Sequence, residues 1–413
     1  MDAVEIGPVP LERRTQSALD LFLVFAGANI VATTLQTGAS LSGAAGSPAA
    51  LVAIVAGGVI GGSALVALLA ALGPRLGVPS VIAARAALGR RGAGLVALLL
   101  YGMNFAWIAV NNVIAASACA RVAGGRGSEW AWSGFLGLLS TAVVAGGPRL
   151  VVRADRLAVP LLAAVGVLLT AAALRLPGAP APAAGPLPWP RGLDIVAGYQ
   201  VSWILMFADY SRYTRSAGRA AGAVFAGLAA TSLWLIPLGL LAARAAGTAD
   251  PGAMLAALGL GASGAILLAT ATLTTNFVNI YMSGLALRSL APRAGAQTAI
   301  WSTGLIGALL GLFPGVWLER YAEFMVLLGA ILVPVGGVLA ARFFLVRRDV
   351  AVAALYEEHG VPAFEWQGLA AWALGAVTYV AASPIGGTVP SLVTAIAAYC
   401  LLDRVSRSVP ISE

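Results

Sequence analysis

Long apolar runs, separated by short polar gaps, repeat from residue 18 to residue 403. A helix needs about 20 apolar residues to cross the hydrocarbon core of a bilayer. By that measure the spans are 18–41, 49–72, 93–119, 130–147, 157–176, 192–209, 217–243, 256–286, 296–314, 321–345, 367–382 and 387–403, the last two being short. Gly and Pro inside several runs are tolerated, because neighbouring helices can satisfy the freed backbone groups. The pattern predicts an all-α integral membrane protein of about twelve transmembrane helices.

The gaps organise the spans. Pro177 to Arg191 is rich in Pro and Ala and reads as an extended external linker after span five. It divides the first ten spans into two sets of five, 18–176 and 192–345. An odd-numbered unit must invert its second copy, so a five-plus-five inverted repeat is expected. A segment at 1–17 precedes the first set. A polar connection at 346–366 leads to two accessory helices at 367–403 and a tail at 404–413.

Composition fits this reading. Of the 413 residues 60% are hydrophobic and only 10% charged, too few charges to cover a soluble domain. The formal charge of +8 comes from arginine alone. The arginines sit in the gaps between spans, so topology explains them better than nucleic-acid binding. With a cytoplasmic amino terminus, 19 of the 25 arginines lie on the inside. Both termini are therefore placed in the cytoplasm of a bacterial inner-membrane protein. The first run follows Arg13 and Arg14, is long enough to span and shows no cleavage pattern. Cys119 and Cys400 lie in or beside apolar stretches and read as small core residues.

Polar residues inside the runs carry the functional information. Gly27, Ala28 and Asn29 interrupt span one, and Gly198, Tyr199, Gln200, Ser202 and Trp203 interrupt span six. Matching interruptions in the first span of each set predict two broken helices facing each other, though small residues also serve ordinary helix packing. In span three, Asn104, Trp107 and Asn111 fall within an arc of about 60° at 100° per residue. An indole between two amides suits a flat polar ring, and the same residues also suit helix-to-helix glue. Span eight carries Thr270, Thr272, Thr274, Thr275, Asn276 and Asn279. Their hydroxyl and carbonyl oxygens suit a hard monovalent cation, and threonines also bond back to their own helix.

Acids and bases are scarce at mid-depth. Asp20, Asp194, Asp209 and Glu323 lie near span ends, and His359 lies in the polar connection. A buried proton relay is disfavoured and a neutral substrate favoured. With no metal cluster, nucleophile–base pair or phosphate loop in the sequence, an enzyme is not expected.

In order along the chain stand Pro8-Val9-Pro10 with Arg13-Arg14, and Phe25 to Ile30 reading FAGANI. Gly77-Val78-Pro79 follows with Arg85 and Gly89, then the Trp107 stripe, Ala208-Asp209-Tyr210-Ser211-Arg212-Tyr213, and Thr274-Thr275-Asn276. By their order and spacing the chain resembles the nucleobase–cation symporter family one, which includes cytosine, hydantoin, allantoin and hydroxymethylpyrimidine permeases. The resemblance covers roughly the first ten spans. It implies the five-plus-five fold with broken helices one and six, two added helices, and secondary transport coupled to sodium or protons by alternating access. Sodium would lie among the carbonyls of Gly27, Ile30 and Ala271 and the hydroxyls of Thr274 and Thr275. The heterocycle would stack on Trp107, its edge read by Asn104 or Asn111, Ser202, and Asn276 or Asn279.

The chain departs from the family in one place. A second aromatic often stands nine residues before the Asp of the span-six motif, and here that residue is Gln200. Either Tyr199 or Trp203 completes the sandwich, or Gln200 bonds a ring held on one face. The stretch around Ser202-Trp203 and Asp209 is most similar to the hydroxymethylpyrimidine branch. Asp209 and Arg212, three apart, are read as a structural and gating pair at the cytoplasmic end. The expectation is a permease for a neutral planar heterocycle in the bilayer, for which a monomer suffices. Its rivals are an amino-acid or amine symporter of the same architecture, and a channel or non-transporting receptor.

Overall fold

Span one is broken where the sequence is interrupted. In the computed structural model, Ser17 opens α1 (Ala18–Asn29) through a reciprocal capping box with Asp20. The Ile30 N–H closes the last turn on the Ala26 carbonyl, and the ladder resumes when Thr34 donates to Val31. The carbonyls of Gly27 and Ile30 lie in the gap, since Thr34 takes Val31 rather than Ile30. Beyond it α2 (Ala32–Ala39) continues at an angle of 56° to α1.

The structure describes residues 6–44, 48–125, 129–147, 187–291, 293–346 and 349–408, with parts of 150–175. Parts of expected span five and linker residues 177–186 lie outside the described residues, as do Arg149, Arg153 and Arg156. The first set continues with α3 (Pro48–Ala70), α4 (Leu72–Leu76), α5 (Ser80–Leu88), α6 (Arg90–Val122) and α7 (Glu129–Ala145). The second opens with α8 (Trp189–Val201), which tightens into a 3-10 turn at Ser202–Met206. Then come α9 (Ala217–Ala246), α10 (Pro251–Ala257), α11 (Gly261–Leu290), α12 (Ala296–Leu310), α13 (Pro314–Glu319) and α14 (Tyr321–Ala340). The accessory pair is α15 (Trp366–Ala381) and α16 (Thr388–Ser408). Every expected span except the fifth thus falls on a described helix or helix pair.

Three boundaries differ from expectation. The expected span at 256–286 is divided, because Asp250 caps α10 and Gly259, at φ +71°, turns the chain before α11. Span six starts at Trp189 rather than 192, since Pro190 fits the first helical turn. Its α-helix ends at Val201 instead of running to 209. Among the described residues six helices are long and apolar enough to cross a membrane, and the bent α1–α2 pair makes a seventh. Large apolar side chains such as Val52, Leu98, Leu309 and Val377 stand exposed on the outside, the arrangement a bilayer solvent favours.

The packing shows the two-fold plan. Helices α1 and α2 pack on α9, and α8 packs on α3. Helix α6 pairs with α7 as α11 does with α12, while α7 meets α11 as α12 meets α6. Exchanging the two sets reproduces these contacts. Close backbone approach fixes one of them: a Cβ on Gly38 would come 1.9 Å from the Ile236 carbonyl oxygen, and one on Gly239 equally close to that of Leu35. The accessory pair is tied to span six by Asp194, which accepts from Gly387 N, Thr388 N and Thr388 Oγ1 at 2.7–3.0 Å.

Candidate functional site

The break in span one, span six, α6 and α11 line a cavity. Helix α6 supplies Leu100, Met103, Asn104 and Trp107 to its wall. The break in span one supplies Ala28, Val31 and Thr33, and span six gives Tyr199, Ser202, Trp203 and Met206. Helix α11 closes it with Thr275, Val278 and Asn279. No acid, arginine or histidine is among these residues.

Aromatic rings and amides share this wall. The Tyr199 ring stands edge-on to Trp107, centroids 6.1 Å apart and planes at 75°. Phe324 of α14 stands edge-on to Trp107 from another side at 5.2 Å. Trp203 packs against Phe25 at 5.4 Å. The amide nitrogens of Asn104 and Asn279 are buried without a hydrogen-bond partner among the described residues. A buried donor left unpaired costs about 1–3 kcal/mol, and two such donors stand on this one cavity wall.

The chain matches, over residues 8–400, the family of permeases for cytosine/purines, uracil, thiamine and allantoin. It belongs to that family. The cytosine permease of Escherichia coli is 27% identical over 350 residues, spanning 83% of this chain and 81% of the relative. The fold is that of Mhp1, a nucleobase-cation-symport-1 family transporter solved closed with bromovinylhydantoin bound. The TM-score is 0.81 at 17% identity, covering 100% of this chain and 98% of that one. A sodium-coupled sialic acid symporter is a more distant likeness, with a TM-score of 0.55 at 12% identity, covering 94% and 96%. The protein is thus a multi-pass membrane transporter of the nucleobase permease family, and not an enzyme.

Within this permease, Asn104, Trp107, Tyr199, Ser202 and Asn279 of the expected substrate residues meet at the cavity, and Asn111, Gln200 and Asn276 do not line it. Asn111 donates to Asn276 at 3.3 Å, and Asn276 donates to Asn112 at 2.9 Å and to Ser140 at 3.5 Å. Thr272 donates to the Asn111 carbonyl at 2.9 Å. These side chains join α6, α7 and α11. Gln200 is buried against α3, where a Cβ on Gly62 would come 2.5 Å from its own Cβ. Met103 and Met206 lie on the wall without having been singled out in the sequence. Spacings of three or four residues from Trp107 and Trp203 would have found the two methionines.

Of the expected cation residues, Ile30 and Ala271 line one apolar cleft beside the break, and Thr275 lines the cavity. Thr274 and Thr275 both donate to the Ala271 carbonyl, at 3.0 and 2.8 Å. This is the back-bonding that threonines commonly make. A hydroxyl that donates keeps lone pairs for another partner.

Family motifs close the amino-terminal end of the bundle. Ser80, after Gly77-Val78-Pro79, donates to Asp209 Oδ2 at 2.5 Å and accepts from Ala208 N at 2.8 Å. Arg14 donates to the Pro74 and Val9 carbonyls at 2.6 and 2.9 Å. Arg212 donates to the backbone carbonyl of Asp209 at 3.3 Å. Tyr356, in the polar connection, donates to the Ile6 carbonyl at 2.7 Å. Burial pushes its pKa up to about 12, so it remains a donor. At the other end Arg121 pairs with Asp250 at 2.7 Å.

Proposed function

We propose that this permease imports a neutral planar heterocycle, a pyrimidine such as hydroxymethylpyrimidine or cytosine, by cation-coupled alternating access. The observation that carries this is the pairing of two unpartnered amide donors, Asn104 and Asn279, with the rings of Trp107, Tyr199 and Trp203 in one uncharged cavity. Stacking holds the faces of a ring, and the amides hold its edge. Tyr199 and Trp203, rather than Gln200, share the cavity wall with Trp107 and would supply the second aromatic surface. An amino-acid or amine symporter of the same architecture needs a counter-charge that this wall lacks. The site is built within one chain, so a monomer suffices. The arginine distribution places both termini in the cytoplasm.

Sodium is the favoured coupling ion. The gap in span one would leave the carbonyls of Gly27 and Ile30 free for an ion, and the oxygens of Ala271, Thr274 and Thr275 would complete an uncharged set. This donor chemistry fits a hard monovalent cation. A bound ion supplies the positive charge that makes such dipoles worth gathering. Proton coupling would fall to Asp20, Asp209 or Glu323. Asp20 is held in the Ser17 capping box and Asp209 by Ser80, so each already has a structural task.

A thermal-shift screen of the purified protein tests this reading. Nucleobases, hydroxymethylpyrimidine, hydantoins and amino acids are compared with and without sodium. A heterocycle should stabilise the protein, more so in sodium. Stabilisation by an amino acid alone would refute it.

A further inference from the structure

Two short stretches run side by side where α1 and α9 begin. Gln16 N donates to the Tyr213 carbonyl at 3.0 Å, and Arg215 Nε donates to the Arg14 carbonyl at 3.0 Å. Between them lies a cleft lined by Arg14, Arg215 and Arg219, with Thr15, Ser17 and Ser216 on its rim. No carboxylate is among its described lining residues. Asp20 is taken up by Ser17 N and Oγ, at 2.9 and 2.7 Å, and lines the neighbouring cleft instead.

We propose that this cleft holds the phosphate headgroup of an anionic phospholipid, with Arg215 and Arg219 as its charged partners.

Membrane topology explains why arginines gather at this face, but it does not require them to converge. Elsewhere arginines meet acids, as Arg90 meets Glu358 and Arg121 meets Asp250. Here the Arg215 guanidinium is held through Nε alone, and the Arg219 side chain makes no hydrogen bond or ion pair among the described residues. Two guanidinium forks on one cleft match the oxygens of a phosphate diester. Helix α9 starts at the same place, with Ser216 accepting from Arg219 N at 3.4 Å. Its first turn adds N–H groups and the positive end of the helix.

The surroundings favour a lipid over a soluble anion. Both α1 and α9 run from this cleft toward the bilayer. Leu19 and Leu23, one turn apart on α1, are exposed. On α9, a Cβ at Gly218 or Gly222 would meet nothing within 4 Å. Open apolar surface therefore leads away from the basic cleft along both helices, which acyl chains can use and free phosphate cannot.

The assignment is independent of the transported compound. Delipidated protein in a neutral detergent is melted against phosphatidylglycerol, phosphatidylcholine or inorganic phosphate, since a ligand of the folded state raises the melting temperature. Wild type should bind phosphatidylglycerol about tenfold more tightly than phosphatidylcholine, the scale of charge-assisted hydrogen bonds. Inorganic phosphate at the same concentration should give no shift. Arg215→Gln with Arg219→Gln should bring phosphatidylglycerol down to the phosphatidylcholine level. Arg91→Gln with Arg404→Gln removes equal charge from exposed positions at the same end of the bundle, and should keep the preference. The proposal is overturned if wild type shows no preference, if the preference survives in Arg215→Gln with Arg219→Gln, or if both double variants lose it equally. Stabilisation by inorganic phosphate equal to that by phosphatidylglycerol also overturns it, by marking a site for soluble anions. Should the first double variant not fold, Arg219→Gln alone decides, with an expected fall in preference of about threefold, half the effect on a logarithmic scale; an unchanged preference then counts against the site.

Discussion

The hydroxyl of Tyr199 donates to Asn29 Oδ1 at 3.0 Å, while its ring stands edge-on to Trp107 on the cavity wall. Asn29 is in turn anchored to α9, donating to Thr231 and Ser232 at 2.7 Å each. Thr34, on the far side of the break, lies 2.6 Å from the same phenol. A ring on the cavity wall is thus bonded to both halves of broken span one.

Trp107 should be the stacking platform. Stacked aromatic contacts contribute about 0.5–1.5 kcal/mol beyond area burial. Trp107→Ala should weaken heterocycle binding more than Trp107→Phe, with expression and melting temperature retained. Calorimetric titration with the best heterocycle from the thermal screen checks this, and equal affinity in wild type and Trp107→Ala would exclude the role.

The amides should separate into two classes. Asn104→Ala and Asn279→Ala should change the ranking of competing heterocycles, since each removes a free donor from the cavity. Asn276→Ala should instead lower stability by about 1–3 kcal/mol, because it strands Asn111, Asn112 and Ser140, and leave the ranking intact. Competition binding and thermal melts on the same preparations give both readouts.

Asp194 should act at a distance from the ligand. Asp194→Ala leaves the first N–H groups of α16 uncapped, at a cost of about 0.5–2 kcal/mol. Limited proteolysis should then cut the segment between α15 and α16 sooner, with heterocycle ranking unchanged. Unaltered digestion would show that the carboxylate does not hold the accessory pair.

Sodium dependence should reside in Thr275. Heterocycle affinity measured across a sodium titration, with choline as replacement, should rise in wild type and be nearly flat in Thr275→Val. Linkage requires that the heterocycle tighten sodium by the same factor. A flat wild-type curve, with uptake following a pH gradient, would move coupling to protons and leave the fold untouched.

The spans were legible because hydrocarbon imposes length and apolarity on every crossing segment. The break at Asn29 and the position of Trp107 were legible for a related reason, since polar and small residues stand out in apolar runs. What the stripe argument missed is distance along the axis. Asn104 and Asn111 share a face, but seven residues separate them by about 10 Å, more than one ring spans, and Asn111 falls into the packing of α6 on α11. Rotation explains the rest. Thr275 and Asn279 are four apart and share the cavity face, whereas Asn276 is turned by about 100° from Thr275. Gln200 is turned by the same angle from Tyr199, onto α3. The end of α8 at Val201 left no mark in hydropathy, because the 3-10 turn that follows is equally apolar.

Counterflow in proteoliposomes tests the central claim most directly. Vesicles holding this permease are loaded with an unlabelled heterocycle, cytosine or hydroxymethylpyrimidine, and diluted into a trace of the same compound labelled. The account predicts transient accumulation of label, faster with sodium on both sides and strongly reduced by Trp107→Ala. Exchange of a labelled amino acid but of no heterocycle, or label that only equilibrates as through a pore, would contradict it.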